Sequence, residues 1–272
     1  MSDLYAVIGN PIAHSKSPFI HTEFSRQTDQ EMRYEALLAP LDGFAKAVSA
    51  FRQQGGKGMN VTVPFKLEAC KLATQLTERA SMAQAVNTLK FNADGILGDN
   101  TDGTGLERDI TINLGIPIEN KRILLMGAGG AARGVVLPLL EAKPNILVIA
   151  NRTKNKAHVL HQLFAAHGNL ESGDFADLSG KNFDIIINAT SASLQDTLPP
   201  LPPGIFCGKS LAYDMMYSKK LTPFLEFAQQ QGVKYLADGI GMLVEQAAES
   251  FFLWRGIKPE TKRVIDMLKQ KT

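Results

Sequence analysis

The sequence predicts an α/β fold in two domains, an N-terminal α/β layer followed by a dinucleotide-binding unit. Three observations carry that expectation. An apolar run, Ile123-Leu124-Leu125-Met126, breaks into Gly127-Ala128-Gly129-Gly130 and resumes as a small and aliphatic stretch from Ala132 to Leu140. A second apolar run, Ile146 to Ala150, follows where a parallel neighbour strand belongs. The first hundred or so residues alternate short strand-like and helix-like patterns, the mark of a layered α/β architecture.

Gly127, Gly129 and Ala132 fit the fingerprint G-x-G-x-x-G/A. The first glycine permits the sharp turn, and the second lets a pyrophosphate approach the backbone. The third small residue lets helix and strand pack closely, with the helix N-terminus facing the anion. A site for NAD usually carries an acidic residue about 20 residues further on, bonded to the ribose hydroxyls. Here the second strand ends in Asn151-Arg152-Thr153-Lys154-Asn155-Lys156, with cations and no acid. Arg152 and Lys156 would attract a 2′-phosphate that a carboxylate would repel, so the expected cofactor is NADP(H). Lys154 reads equally well as a solvated loop residue.

Composition excludes several classes. A chain of 272 residues, 44% hydrophobic and 21% charged, is ordinary for a soluble globular protein. A net charge of +2, with no basic stripe interleaved with aromatics, gives no reason to expect nucleic acid. No apolar run is long enough to span a bilayer, and Met1-Ser2-Asp3-Leu4-Tyr5 lacks the regions of a signal peptide. Cys70 and Cys207 form neither a disulfide framework nor a zinc cluster. A cytoplasmic location is expected, and the Asn-x-Thr triplets at Asn60, Asn151 and Asn188 then carry no glycosylation meaning.

In chain order, Leu4 to Ile8 reads as a buried strand ended by Gly9-Asn10-Pro11. Ser17 is the expected cap of the next helix, with Pro18 at its first position and Ile20 and Phe24 inward. Tyr34 to Leu38 reads as a strand. Leu41, Phe44, Val48 and Phe51 recur at helical spacing until Gly55-Gly56 stops the run. Gly58 to Val63 alternates as a strand does, and Pro64-Phe65-Lys66 turns into a helix. Thr77 caps a helix to Ala83. Val86 to Lys90 and Ile96 to Gly98 form a hairpin about Asn92 to Gly95. A helix over Gly105 to Leu114 crosses into the second domain.

There the strands are Ile123–Met126, Ile146–Ala150, Phe183–Asn188 and Leu211–Asp214. The helix from Ala132 contains Pro138, where a kink is expected. A helix from Thr222 to Gln230 and a short strand Lys234-Tyr235-Leu236 follow. Helices over Met242 to Trp254 and Pro259 to Lys269 are expected to return to the first domain. The predicted division is therefore 1–102 with 239–272, and 103–238, leaving a cleft where a substrate could meet a nicotinamide.

Hydride transfer creates or removes charge on oxygen, so such a site needs a group that passes a proton. No His and Cys cluster offers a metal instead: His158 and His161 lie i, i+3 without a carboxylate or thiol to complete a ligand set. His14 reads as a loop donor. Lys66 follows a strand and a proline, so it projects from a strand end, where ligands of α/β sheets lie. Asp102 closes another strand-to-helix turn, and the two together would form an ion-paired proton relay. By spacing alone, Lys66 reads more readily as a surface lysine and Asp102 as a helix cap. Ser15, Ser17, Thr62, Asn87 and Gln246 are neutral donors and acceptors suited to a polyhydroxylated substrate, though each alone is more often a cap or turn residue.

Several motifs in one order are more specific. They are Gly9 to Pro18, Asn60-Val61-Thr62-Val63-Pro64-Phe65-Lys66, Ala85-Val86-Asn87-Thr88, Gly98 to Gly103 and Gly127 to Ala131. Asn151-Arg152-Thr153, Ile187-Asn188-Ala189-Thr190-Ser191, Tyr213-Asp214-Met215 and Asp238 to Leu243 continue the series. In these motifs the chain resembles the NADP-dependent bacterial shikimate dehydrogenases along nearly its whole length. The resemblance implies reversible reduction of 3-dehydroshikimate to shikimate by NADPH, in aromatic amino-acid biosynthesis. It implies Lys66 and Asp102 as the catalytic pair. Substrate contacts would fall on Ser15, Ser17, Thr62, Lys66, Asn87, Asp102, Tyr217 and Gln246. Cofactor contacts would fall on Gly127, Ala128, Gly129, Gly130, Ala131, Asn151, Arg152, Thr153, Lys156, Met215 and Gly239.

Two positions depart from the usual pattern. Lys156 stands where relatives often have arginine, which keeps the charge but loses the bidentate fork, so NADP preference is expected to survive in weakened form. Ala132, often serine, loses a hydroxyl near the phosphates. The rival readings are a quinate/shikimate dehydrogenase using NAD or both cofactors, and a non-catalytic NADP-binding protein that would need neither Lys66 nor Asp102. A small-molecule substrate is expected, with no nucleic acid and no membrane as partner; the chain would be a monomer or a homodimer.

Overall fold

A computed structural model describes residues 2–190 and 197–271, with the Lys271 side chain outside the description. Ser191, the last residue of one of the motifs above, lies outside the described residues. The chain divides into two compact units: Met1–Gly105 with Leu243–Met267, and Leu106–Met242 with Leu268–Thr272.

The first unit holds β1 (Asp3–Gly9), α1 (Ser17–Gln27), β2 (Met32–Leu38), α2 (Phe44–Gln53), β3 (Gly56–Val61) and α3 (Lys66–Leu72). There follow β4 (Gln75–Leu76), α4 (Glu78–Ala83), β5 (Thr88–Asn92), β6 (Gly95–Asp99) and the start of α5 (Asp102–Arg108). Its strands form one six-stranded sheet in the order β2-β1-β3-β5-β6-β4. β1 pairs in parallel with β2 and β3, whereas β5 runs antiparallel between β3 and β6.

β1 is buried on both faces, as a central parallel strand must be. Ala6 and Ile8 pack with Phe44, Val48 and Phe51 of α2. Tyr5 and Val7 face the other way and pack with Tyr34 and Trp254. Trp254 belongs to the later helix α9 (Ile240–Arg255), and its indole nitrogen donates to the Leu89 carbonyl at 3.0 Å. Most of α9 and the start of α10 (Lys262–Lys271) thus belong to the first unit.

The second unit contains β7 (Arg122–Met126), α6 (Gly130–Glu141), β8 (Ile146–Ala150), α7 (Lys154–Phe164), β9 (Leu170–Gly173) and β10 (Phe183–Asn188). β11 (Phe206–Asp214), α8 (Pro223–Gln230) and β12 (Tyr235–Ala237) complete it. Its six strands lie in the order β12-β11-β10-β7-β8-β9, all parallel. Read from β9, that is the doubly wound order 3-2-1-4-5-6 of dinucleotide-binding folds. Leu124, Met126, Ile186 and Ala212 share one core with Phe224, Leu225 and Ala228 of α8.

Several local expectations are corrected. Ser17 is the first residue of α1 rather than its cap; Lys16 holds the cap position, and the Ser15 hydroxyl accepts from the Ser17 backbone N–H at 3.3 Å. α2 begins at Phe44, and Leu41, read as part of its inner face, is 67% exposed. β3 ends at Val61, which leaves Thr62 and Val63 in the turn. β4 and β9 escaped the sequence reading because neither carries a period long enough to see. Asp102 opens α5, which then widens into a π-helical turn over Asp109–Asn113. Thr77 caps its helix as expected, accepting from the Ala80 backbone N–H, whereas Thr222, expected as the first helical residue, instead caps α8 by accepting from the Leu225 backbone N–H. α6 runs on through Pro138 to Glu141.

Candidate active site and cofactor cradle

Sheet direction explains which residues of the first unit meet. β1, β3 and β6 run the same way, so the segments that leave their C-terminal ends emerge at one end of the sheet. β5 runs the other way, so its N-terminal approach reaches that same end. Ser15 and Ser17 follow β1, Thr62 and Lys66 follow β3, Asn87 precedes β5, and Asp102 follows β6. The register Asn60↔Thr88↔Asp99 aligns the three strand ends side by side.

At the centre, Lys66 Nζ lies 2.5 Å from Asp102 Oδ2. The two side chains are only 14% and 6% exposed, so little water screens the pair. Asn87 Nδ2 donates to Asp102 Oδ1 at 2.8 Å. The same amide lies 3.2 Å from Gln246 Oε1, which α9 brings in from far along the chain. Asn87 Oδ1 accepts from the Thr101 backbone N–H at 2.9 Å and from the Thr88 hydroxyl at 2.8 Å. The Asn87 amide therefore has one orientation, and it holds one carboxylate oxygen of Asp102 while Lys66 holds the other.

A second buried network lies beneath the serines. The Tyr34 hydroxyl donates to Asn60 Oδ1 at 2.7 Å and shares a hydrogen bond with the Ser17 side chain. Asn60 Nδ2 reaches Ser250 Oγ at 3.0 Å and Thr88 Oγ1 at 3.1 Å. His21 Nε2 sits 3.2 Å from Asn60 Oδ1, and its ring stacks on Tyr34 with centroids 4.2 Å apart. Complete burial pulls the His21 pKa down to about 3, against a smaller opposing effect of the Asn60 bond. It is a neutral core histidine whose Nδ1 has no hydrogen-bond partner among the described residues.

Asn60, Thr101, Thr88 and Ser250 were not singled out as site residues by the sequence reading. Asn60, Thr88 and Thr101 could have been found, because they stand inside the same motifs as Thr62, Asn87 and Asp102. Ser250 carried no local signal. Thr62 makes its visible contact through its methyl group, which fills the space a Cβ at Gly9 would need.

In the second unit the parallel strands present their C-terminal ends together. Gly127 leaves β7 with φ +112°, a region glycine enters without strain, and a Cβ there would lie 3.0 Å from the Ala189 carbonyl oxygen. A Cβ at Gly129 would meet nothing within 4 Å, so this turn has open space above the backbone where a pyrophosphate would lie. Gly129 occupies the N-cap of α6 without a capping side chain. The first-turn N–H groups there suit an anion, so the residues present fit a dinucleotide. Ala128 belongs to the same turn, and Gly130 and Ala131 open α6.

Past β8, Asn151 Nδ2 donates to the Thr153 carbonyl at 2.9 Å and shapes the loop. Lys154 pairs with Asp177 at 2.7 Å. Arg152 and Lys156 are exposed, and neither forms an ion pair among the described residues. At the ends of β11 and β12, a Cβ at Gly239 would collide with the Met215 carbonyl oxygen. Tyr217 is half-buried in the loop after β11.

Comparison with known proteins places this architecture. Residues 7–89 match the shikimate dehydrogenase substrate binding domain, residues 111–195 the shikimate / quinate 5-dehydrogenase family, and residues 239–268 the shikimate 5′-dehydrogenase C-terminal domain. A shikimate dehydrogenase (NADP+) of Nitrosospira multiformis is 70% identical over 269 residues, covering 99% of this chain and 98% of its own. The chain belongs to the shikimate dehydrogenase family.

Solved structures agree. An Ael1 enzyme from Pseudomonas putida superposes with a TM-score of 0.92 at 52% identity, covering 98% of both chains. Shikimate 5-dehydrogenase from Thermus thermophilus, in complex with NADP(H) and shikimate, gives a TM-score of 0.87 at 29% identity over 99% of this chain and 100% of its own. Among the described residues, no helix is long and apolar enough to cross a membrane, and no group of His, Cys, Asp and Glu could hold a metal.

Proposed function

We propose that Lys66 and Asp102 carry the reversible, NADPH-dependent reduction of 3-dehydroshikimate to shikimate. The observation that carries the reading is the 2.5 Å contact between Lys66 and Asp102, held from one side by Asn87. When bound, NADP(H) supplies or accepts the hydride. The Gly127–Ala131 turn would hold its pyrophosphate, Arg152 and Lys156 its 2′-phosphate with Asn151 and Thr153 shaping their loop, and Met215 and Gly239 its nicotinamide end.

The protein's part is to hold the substrate and move a proton. Ser15 and Ser17 hydroxyls bond the substrate carboxylate. Thr62, Asn87, Tyr217 and Gln246 bond or flank the ring and its hydroxyls. Lys66 Nζ donates a proton to the developing alkoxide in reduction and takes it back in oxidation. Asp102 holds the ammonium against the reacting oxygen and accepts a ring hydroxyl. The enzyme is expected to work in the cytoplasm, as a monomer or a homodimer.

The test is nicotinamide reduction with shikimate, run with NADP+ and NAD+ and repeated with quinate. Fast turnover confined to shikimate with NADP+ supports the reading. Comparable rates with quinate or NAD+ would replace it with the broader quinate/shikimate activity. No turnover with any pair would reject it.

A further inference from the structure

Arg79 on α4 has no part in the chemistry above, yet it joins three segments that support it. Its guanidinium binds Asp99 in two places, Nε to Oδ1 at 2.7 Å and Nη2 to Oδ2 at 2.5 Å. Nη1 reaches Thr104 Oγ1 at 3.0 Å and Glu249 Oε1 at 3.2 Å. Asp99 ends β6, Thr104 lies in the first turn of α5, and Glu249 lies on α9 three residues after Gln246.

Asp99 is itself saturated. Oδ1 also accepts from the Thr77 hydroxyl at 2.6 Å and from the Asn100 backbone N–H at 2.8 Å. Burial opposes its ionised form, but the Arg79 guanidinium, together with the Thr77 hydroxyl and the Asn100 backbone N–H, holds the carboxyl below its usual range. Asn100 in turn donates to the Ala85 carbonyl at 3.0 Å and accepts from the Asp102 backbone N–H at 3.1 Å. An unbroken series of hydrogen bonds therefore runs from Arg79 through Asp99 and Asn100 to Asp102. A second branch, through Glu249, holds the helix that carries Gln246.

We propose that Arg79 is a positioning residue for the substrate site: its guanidinium fixes the Asp99–Asp102 turn and α9 together, and so sets Asp102, Asn87 and Gln246 at working distances. The proposal rests on the reading of Lys66 and Asp102 given above. A planar fork is what the geometry uses, because two parallel bonds to one carboxylate fix direction as well as distance, and a third arm reaches the two helices. Lysine could supply the charge at Asp99 but not all of these contacts.

Displacing a reacting group by a fraction of an ångström to an ångström costs up to about 100-fold in rate. Arg79→Met is therefore expected to lower kcat/KM for shikimate by about 10- to 100-fold, through both constants. KM for NADP+ should stay at the parent value, because the expected cofactor residues belong to the other unit. Rates are normalised to the fraction of protein that binds NADP+, read by titration. Arg79→Lys should recover part of the loss. Glu249→Gln, which keeps the Arg79–Asp99 pair intact, should raise KM for shikimate with a smaller change in kcat, and it tests the same idea if Arg79→Met does not fold. Normalised shikimate constants within twofold of the parent in the variants that fold would overturn the proposal. Lys66→Met is run alongside: if it keeps full turnover, the reading of the catalytic pair fails; if it is inactive while the Arg79 and Glu249 variants are normal, only the role of Arg79 fails.

Discussion

Lys66 Nζ and Asp102 Oδ2 stand 2.5 Å apart at the end of the first unit's sheet, and neither side chain is more than 14% exposed. A lysine and an aspartate 36 residues apart meet there because β3 and β6 run parallel with antiparallel β5 between them. The ammonium is aimed by the carboxylate, and the carboxylate by Asn87. An ammonium held in this way is already oriented before any substrate arrives.

Replacing Lys66 removes the proposed proton donor and leaves the proposed cofactor residues untouched. Lys66→Met is expected to lower kcat by about 10²- to 10⁴-fold, the usual worth of a general acid–base group. KM for NADP+ should not change. Steady-state kinetics with shikimate checks both, and kcat within threefold of the parent would remove Lys66 from the mechanism.

The basic loop after β8 predicts cofactor choice. Removing Arg152 and Lys156 together should raise KM for NADP+ by at least about tenfold, since a hydrogen bond to a charged group is worth about 1.5–3 kcal/mol. KM for NAD+, which has no 2′-phosphate, should move little. Lys154→Ala is the internal control, because Lys154 is engaged with Asp177 at 2.7 Å and should leave both constants unchanged. Equal losses for NADP+ and NAD+ would mean that the loop acts through folding and not through the phosphate.

Ser15 and Ser17 predict how the carboxylate is recognised. Ser17→Ala should raise KM for shikimate by about tenfold, and the double variant with Ser15→Ala by more, with KM for NADP+ constant. A shikimate analogue lacking the carboxylate should be insensitive to both substitutions. Equal sensitivity of the two ligands would place the serines elsewhere in the site.

His21 predicts an acid weakness of the fold. Its pKa falls from an ordinary 6.5 to about 3 in the folded state, chiefly because burial disfavours the charged ring. The unfolded chain therefore binds a proton between these values that the folded protein refuses. Its stability contribution is complete above pH 6.5 and is lost progressively as pH falls toward 3. The slope is at most about 1.4 kcal/mol per pH unit from this one group. Urea unfolding of the parent and of His21→Phe at pH 7, 6, 5 and 4 reads it as a difference in slope. Parallel curves for the two proteins would show that His21 titrates normally.

Several features of the candidate site are legible in the sequence alone. The glycine turn, the acid-free loop with Arg152 and Lys156, and the lysine after a strand and a proline are short-range signals. Each depends on residues within one turn or one strand end. The cap followed the same logic at Thr77 and failed at Ser17, where Lys16 takes the cap position and Ser17 is drawn to Tyr34. Leu41 failed for a related reason. Helical periodicity carried the run back past Phe44, and no packed partner was there to receive it.

By itself, then, the sequence determined the two α/β units, the glycine turn, the charge of the loop after β8 and the residue types available at each strand end. These follow from hydrophobic period and turn chemistry, which act over a few residues. Only the tertiary structure decided that Asn87 and Asp102 share a hydrogen bond, that Gln246 and Ser250 arrive from a distant helix, and that Arg79 stands behind all of them. Asn60 and Ser250 lie 190 residues apart, and Arg79 and Glu249 170. Contacts of that span are set by strand direction, register and the burial of Trp254 against β1. None of these leaves a periodic trace in the residues that it brings together.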